Sequence, residues 1–402
     1  SAWFIRTDAP ITRAEILGRG DGGGGLLGDF HQLSSGKWAA RVRQCFSETR
    51  EGCSGDWVHS GGTWDEIPDI VRNGFNFTDG AGTISRGLMC DIARRLEFDP
   101  VPSALQIRIG GNKGEVVVDP RLEGKQLCTR KSQCKFDAHF TSIEVCIGGE
   151  SVFKPGHLNR QLILVLYSRR TGQACRQEDF ESLQDQTTNQ LKLLYDASLS
   201  RDADEARRAE VLEAAKGLQP RAILLDMLRG GVDPASEELL SRMLRQLAKA
   251  HLERIRDSGR IHVQRSCLLR GVPDYDGGEL RDGECFFWPQ VPEDANRFAK
   301  PITGKVIIAK NPALHPGDVR VLRAVDRRSG EAKRRGEGLR NVLVFPVDTR
   351  GKRSHAHETS GGDLDGDEFF ICWDSRLTAC NECEPSNAYT DQDRLRQAPT
   401  AD

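Results

Sequence analysis

Three aspartates at alternate positions, Asp363, Asp365 and Asp367, lie between Gly361-Gly362 and the apolar run Phe369-Phe370-Ile371-Cys372-Trp373. This arrangement restricts the fold more than any other feature of the chain. Alternate side chains of an extended segment point to one side, and Gly366 permits a φ > 0 turn that swings the third carboxylate toward the first two. The apolar run places these acids at the tip of a buried strand. Three carboxylates held close repel unless a cation sits among them. An all-oxygen donor set selects Mg²⁺, with Mn²⁺ or Ca²⁺ as alternatives, over zinc. An EF-hand is excluded by register: it wants glycine at the sixth loop position, and Gly366 is the fourth. What remains is a Mg²⁺ site that also meets phosphate oxygens.

The chain around this cluster divides into a β-rich block, a helical block and a second β-rich block. Leu105-Gln106-Ile107-Arg108-Ile109 alternates with the period of a half-buried strand, Gly110-Gly111 turns, and Glu115 to Val118 is β-branched. Leu162 to Tyr167 reads as a buried strand, and Leu88 to Leu96 and Trp38 to Phe46 read as helices. From Gln177 to Ser258 the pattern is helical and charged. Asp233-Pro234 starts the last helix and Gly259 closes it. Within that helix, His251 is read as a packed histidine. Strands return at Ile261–Val263, Cys285–Trp288, Val306–Ala309, Val319–Val325, Val342–Phe345 and Phe369–Trp373, punctuated by Gly and Pro as in a barrel. Residues 1–63 are then an N-terminal helical and loop segment, and Gly22 to Gly25 a loop, since no Gly-Lys-Ser/Thr follows. Residues 64–172 form the first β unit, 173–259 a helical connector, 260–378 the second β unit and 379–402 a polar tail. The opening Ser1-Ala2-Trp3 reads as that of a fragment, without a signal peptide.

Lys and Arg number 57 against 59 Asp and Glu, so the chain is no global polycation. Positive charge is local instead. Arg320 to Arg353 holds eleven basic and four acidic residues, and Leu105 to Phe136 seven and three. Such patches bind polyphosphate and nucleic-acid backbones. No run of 18 apolar residues exists to span a membrane. Twelve irregularly spaced cysteines suit reduced intracellular thiols in the nucleus or cytoplasm, and Cys380-Asn381-Glu382-Cys383 has no partner pair for zinc.

A series of ordered segments resembles the core of eukaryotic cellular RNA-dependent RNA polymerases of the RNA-silencing type. They are Gln44-Cys45-Phe46-Ser47, Phe77 to Ser85 (FTDGAGTIS), Gln106 to Gly114 (QIRIGGNKG), Arg130 to Phe136 (RKSQCKF), Leu158-Asn159-Arg160-Gln161, Lys310 to Arg320 (KNPALHPGDVR) and Glu358 to Asp374. Thr78, Ala81, Gln133 and Ala313 depart from the family's commoner residues. The resemblance implies an α+β fold of two double-psi β-barrels joined by a helical connector. It implies Asp363, Asp365 and Asp367 as ligands of a catalytic Mg²⁺, with Mn²⁺ an alternative. Lys113 and Lys135 would be basic catalytic partners, and Arg108, Arg130, Arg320 and Arg353 would contact RNA or nucleotide. The implied partners are a single-stranded RNA template, NTPs and silencing-pathway proteins, with no membrane. The implied activity is complementary RNA synthesis in RNA silencing. Two other readings stand beside it: a barrel pair that binds RNA without chemistry, and another Mg²⁺-dependent phosphoryl-transfer enzyme, for which no Walker or kinase signature is present.

Overall fold

The computed structural model describes residues 35–44, 48–138, 140–200, 205–216, 222–274, 279–290, 300–326, 339–350 and 352–386. The Gly22–Gly25 segment, most of the basic run between Arg327 and Arg340, and the polar tail beyond residue 386 lie outside the described residues.

The first part carries helix α1 (Ser35–Gln44), then strands β1 (Thr49–Cys53), β2 (Thr63–Ile67), the short pair β3 (Val71–Arg72) and β4 (Phe75–Asn76), and β5 (Ala81–Ile84). Helix α2 (Arg86–Leu96) follows, capped by the Ser85 hydroxyl accepting from the Leu88 N–H. Strands β6 (Ala104–Ile109), β7 (Asn112–Val118), β8 (Gln126–Arg130) and β9 (Ile143–Glu150) complete a seven-stranded sheet in the order β1-β9-β6-β7-β5-β8-β2. Gly110 and Gly111, with φ of 49° and 80°, make the β6–β7 turn. Ile84, Leu88, Ile92, Leu105, Ile107, Val116, Val118, Leu127 and Val145 form its core.

β10 (Lys154–His157) crosses to the second sheet, and helices α3 (Arg160–Ser168), α4 (Gln177–Ala197), α5 (Glu205–Lys216), α6 (Ala222–Arg229) and α7 (Glu238–Ser258) follow. The second sheet then comprises β11 (His262–Pro273), β12 (Glu284–Phe287), β13 (Gly304–Lys310), β14 (Val319–Ala324), β15 (Val342–Phe345) and β16 (Glu368–Cys372), with helix α8 (His355–Glu358) before β16 and α9 (Ser375–Thr378) after it. Its order is β10-β11-β15-β12-β14-β13-β16, and an additional β11–β16 pairing closes six strands into a barrel.

The two sheets share one topology. Running β9-β6-β7-β5-β8-β2, the successive pairings are antiparallel, antiparallel, parallel, antiparallel and parallel. Running β16-β13-β14-β12-β15-β11, they follow the same sequence. Chain order matches at each place. The architecture is thus the expected α+β class, two six-stranded double-psi units with helices between them in sequence. Sheet membership crosses two of the expected divisions: β1 joins the first sheet from within residues 1–63, and β10 joins the second from within 64–172. No described helix is long and apolar enough to cross a membrane.

The apolar run of β16 is continuous because both its faces are buried. Phe369 and Ile371 enter the barrel core with Leu269, Phe287, Val306, Ile308 and Phe345. Phe370 and Cys372 face the other way, onto Leu162, Leu166, Ile307 and Ala309.

Leu162 to Tyr167, expected as a strand, is helix α3. A short apolar run does not distinguish the two by periodicity. Asn159 decides the matter by capping the segment, its side-chain oxygen accepting from the Leu162 N–H at 2.8 Å. Leu162, Val165 and Leu166 are buried while Leu164 is 68% exposed, the spacing of a helix. Asp233-Pro234 does not start α7. The Asp233 carboxylate accepts from the Ala235 N–H in a turn, and Glu237 caps the helix from Glu238. Gly259, at φ 65°, closes it, and His251 is buried, its Nδ1 2.8 Å from the Leu247 carbonyl. The strand expected at Ile261–Val263 runs from His262 to Pro273, the longest among the described residues.

The helical phase of α3 is testable. In a strand, Leu164 and Leu166 would share a face. Leu166→Ala is expected to cost about 2–5 kcal/mol in denaturant unfolding, and Leu164→Ala to stay within about 0.5 kcal/mol of the parent. Equal losses would refute the helix.

Candidate active site

The aspartate cluster lies in the loop between α8 and β16. The Ser354 hydroxyl caps α8, and the chain then turns through Ser360 and Gly361 at φ 52° and 65°. Gly362 has no room for a side chain: a Cβ there would lie 2.6 Å from the Ala356 carbonyl. The Asp363 N–H donates to Asp367 Oδ2 at 3.0 Å, and Gly366 takes φ 121°. The loop is therefore a bend rather than an extended segment, and the carboxylates converge through it, not through strand alternation. Oxygens of Asp363, Asp365 and Asp367 lie within 4.8 Å of one another. Burial, reinforced by Asp365 and Asp367, pushes the Asp363 carboxyl up to about 7. A set of hard oxygen donors that repel one another fits a divalent cation.

Lysines from both sheets face these acids. Lys113, the second residue of β7, pairs with Asp365, and Lys310, the last of β13, lies 2.6 Å from Asp367 Oδ2. Lys154 of β10 pairs with the next acid, Glu368. The Lys135 ammonium donates to the Ser132 carbonyl. Burial pushes the neighbouring Asp79 carboxyl up, against the opposing pull of Lys135, and Asp69 and Asp365 add to the rise. The structure thus brings Lys113 to the cluster and adds Lys310 and Lys154, while Lys135 stands beside Ser132 and Asp79. Lys310 opens the Lys310-Asn311-Pro312 segment, so its signal was present in the sequence; Lys154 carries none.

The first sheet also grips the backbone of the aspartate loop. On β6 and β7, Gln106 is paired with Glu115 and Arg108 with Lys113, so these four share one sheet face. Gln106 Nε2 donates to the Asp365 carbonyl at 2.7 Å. Arg270, from β11, donates to the carbonyls of Gly366 at 3.1 Å and Gly148 at 2.7 Å and to Glu115 Oε2 at 3.2 Å. Glu115 is fully buried, and desolvation outweighs Arg270 to push its carboxyl up to about 7. The Leu364 N–H donates to the Asp79 carbonyl and the Gly271 N–H to that of Asp367. Gly80, at φ 81°, lets its loop come so close that a Cβ would collide with Asp365. Gln133 braces the same region, its amide accepting from the Arg130 N–H and donating to the Glu115 carbonyl.

The four arginines divide. Arg108 lies on the face beside Lys113, with Nη1 on the Ile107 carbonyl. Arg130 is buried, donating to the carbonyls of Ala81 and Pro68. Arg353 contacts His357 and the Ser386 carbonyl. Arg320 pairs with Glu358 at 3.1 Å and donates to the Cys383 carbonyl, lining a separate cavity. No sequence pattern announced Arg270 or Glu115 as partners, because they are 155 residues apart.

Arg270→Met is expected to cost about 3–5 kcal/mol in unfolding free energy, since it leaves Glu115 buried and alone. Glu115→Gln in the same chain should recover part of that loss. Strict additivity in the double-mutant cycle would show that the pair is not coupled.

The family model described as RNA dependent RNA polymerase matches residues 1–401. RNA-dependent RNA polymerase 6 of Arabidopsis thaliana is 35% identical over 397 residues, covering 95% of this chain and 30% of that protein. RNA-dependent RNA polymerase 1 of Schizosaccharomyces pombe is 33% identical over 378 residues, covering 87% and 29%. The chain thus spans about 30% of the length of these curated relatives. Among solved structures, the RNA dependent RNA polymerase QDE-1 from Thielavia terrestris shares the fold. Its TM-score is 0.67 at 24% identity, over 87% of this chain and 39% of that one. Given the match over nearly its whole length, the chain belongs to the RNA-dependent RNA polymerase family.

Proposed function

We propose that this chain is the catalytic core of an RNA-dependent RNA polymerase that makes complementary RNA on a single-stranded RNA template by Mg²⁺-dependent nucleotidyl transfer. The observation that carries this reading is the carboxylate triad, gripped through its backbone and faced by lysines from both sheets. Bound Mg²⁺, or Mn²⁺ in its place, would activate the 3′-hydroxyl and steady the leaving pyrophosphate as a Lewis acid. Asp363, Asp365 and Asp367 would hold it.

The chain's own residues supply position and charge. Lys113 and Lys310 hold Asp365 and Asp367 in place through ion pairs. Their ammonium groups, with that of Lys135, form a positive rim for the triphosphate, where preorganised charge acts most strongly. Template choice comes from base pairing, and strand binding is mostly to the backbone and weakened by salt. The setting proposed is RNA silencing inside the cell, nuclear or cytoplasmic, together with other silencing-pathway proteins.

In the complete polymerase, Asp365→Ala is expected to abolish Mg²⁺-dependent incorporation of labelled NTP on single-stranded RNA, with soluble yield unchanged. Wild-type synthesis by this variant would overturn the mechanism. Lys113→Ala should lower kcat by about 100- to 1,000-fold. A change confined to KM would remove Lys113 from the chemical step.

A further inference from the structure

The second barrel carries a cavity of about 550 Å³ in which none of the residues of the aspartate site takes part. That volume is within the range of small-ligand sites. Its lining includes Lys305, Arg320, Arg323 and Lys352 against two acids, Asp282 and Glu382. Lys305 and Arg323 stand directly opposite each other on β13 and β14. Like charges in that relation repel. Among the described residues none of Lys305, Arg323 and Lys352 has an ion-pair partner, whereas Arg320 is held by Glu358. Asp282 sits 3.2 Å from His355 Nε2, which accepts the Gly283 N–H at 3.0 Å.

Two lining positions carry no side chain. Gly283 and Gly304 both line the cavity, at φ 83° and 111°, and a Cβ built on either would meet nothing within 4 Å. Unsatisfied positive charge therefore faces open space over two side-chain-free positions. That combination suits an anion with several oxygens better than an apolar or cationic ligand.

We propose that this cavity is a second phosphate-binding site that takes the phosphate groups of an RNA strand or of a free nucleotide. It goes beyond the polymerase reading, and a binding readout separates the two. The site also has a mechanical link to the catalytic loop. Arg320 lines the cavity and pairs with Glu358, the last residue of α8, five positions before Asp363.

The test is lysine acetylation footprinting of the complete protein with EDTA present, in three arms: no addition, a single-stranded oligoribonucleotide, and inorganic triphosphate. Modification of Lys305 and Lys352 is expected to fall at least about threefold on adding phosphate ligand, with exposed Lys249 unchanged as the control. Protection by the oligonucleotide assigns the site to the RNA strand, and protection by triphosphate alone assigns it to a nucleotide. In the Arg323→Glu variant protection of Lys352 should be lost, and in Arg323→Lys it should be kept. Unaltered modification of both lysines in both ligand arms would overturn the proposal, as would full protection in Arg323→Glu.

Discussion

The site is governed by the mutual repulsion of three carboxylates whose oxygens lie within 4.8 Å. Left to itself, a loop carrying these charges would open into solvent. It is held from two directions. Lys113 and Lys310 offset the charge, and Gln106, Arg270 and the Asp79 carbonyl fasten the backbone. The carboxylates stay together because the energy that opposes their repulsion comes from elsewhere in the fold. Arg270 matters most in this respect, since one guanidinium ties the aspartate loop to Glu115 of β7 and to Gly148 of β9.

The shared topology of the two sheets gives that arrangement a frame. In each, the connection between the fifth and sixth strands carries candidate site residues. In the first sheet it is the β8–β9 segment with Lys135, and in the second the β15–β16 segment with the aspartates. The aspartates come from the second copy alone, whereas both copies send cations to them. Glycine at positions 80, 114 and 366 permits the close approach, because a Cβ at any of them would strike a neighbour.

Much of this was legible in the residues. Leu105 to Ile109 alternates cleanly, so both its strand and its polar face, Gln106 and Arg108, followed from period. The chemistry of the Asp triplet followed from its composition. Leu162 to Tyr167 was misread because a six-residue apolar run is compatible with helix or strand, and the cap at Asn159 settled it. Strand β11 was seen only in its first residues because Gln264, Arg265, Ser266 and Arg270 interrupt its apolar pattern. Arg130 and Arg320 looked equivalent as cations. Burial spends one on the Ala81 and Pro68 carbonyls and leaves the other lining a cavity.

By itself the sequence determined the order of β, helical and β blocks and the place of the clustered acids, and the resemblance of its ordered segments to a family supplied the fold class. The block order and the acid cluster depend on period and local composition, which neighbouring residues carry. Only the tertiary structure decided which cations meet which acids, that Arg270 and Glu115 form a buried pair, and that a second positive cavity exists. These depend on contacts between residues tens to hundreds of positions apart. Such contacts form when sheets close and buried charges must find partners, and no local pattern encodes them.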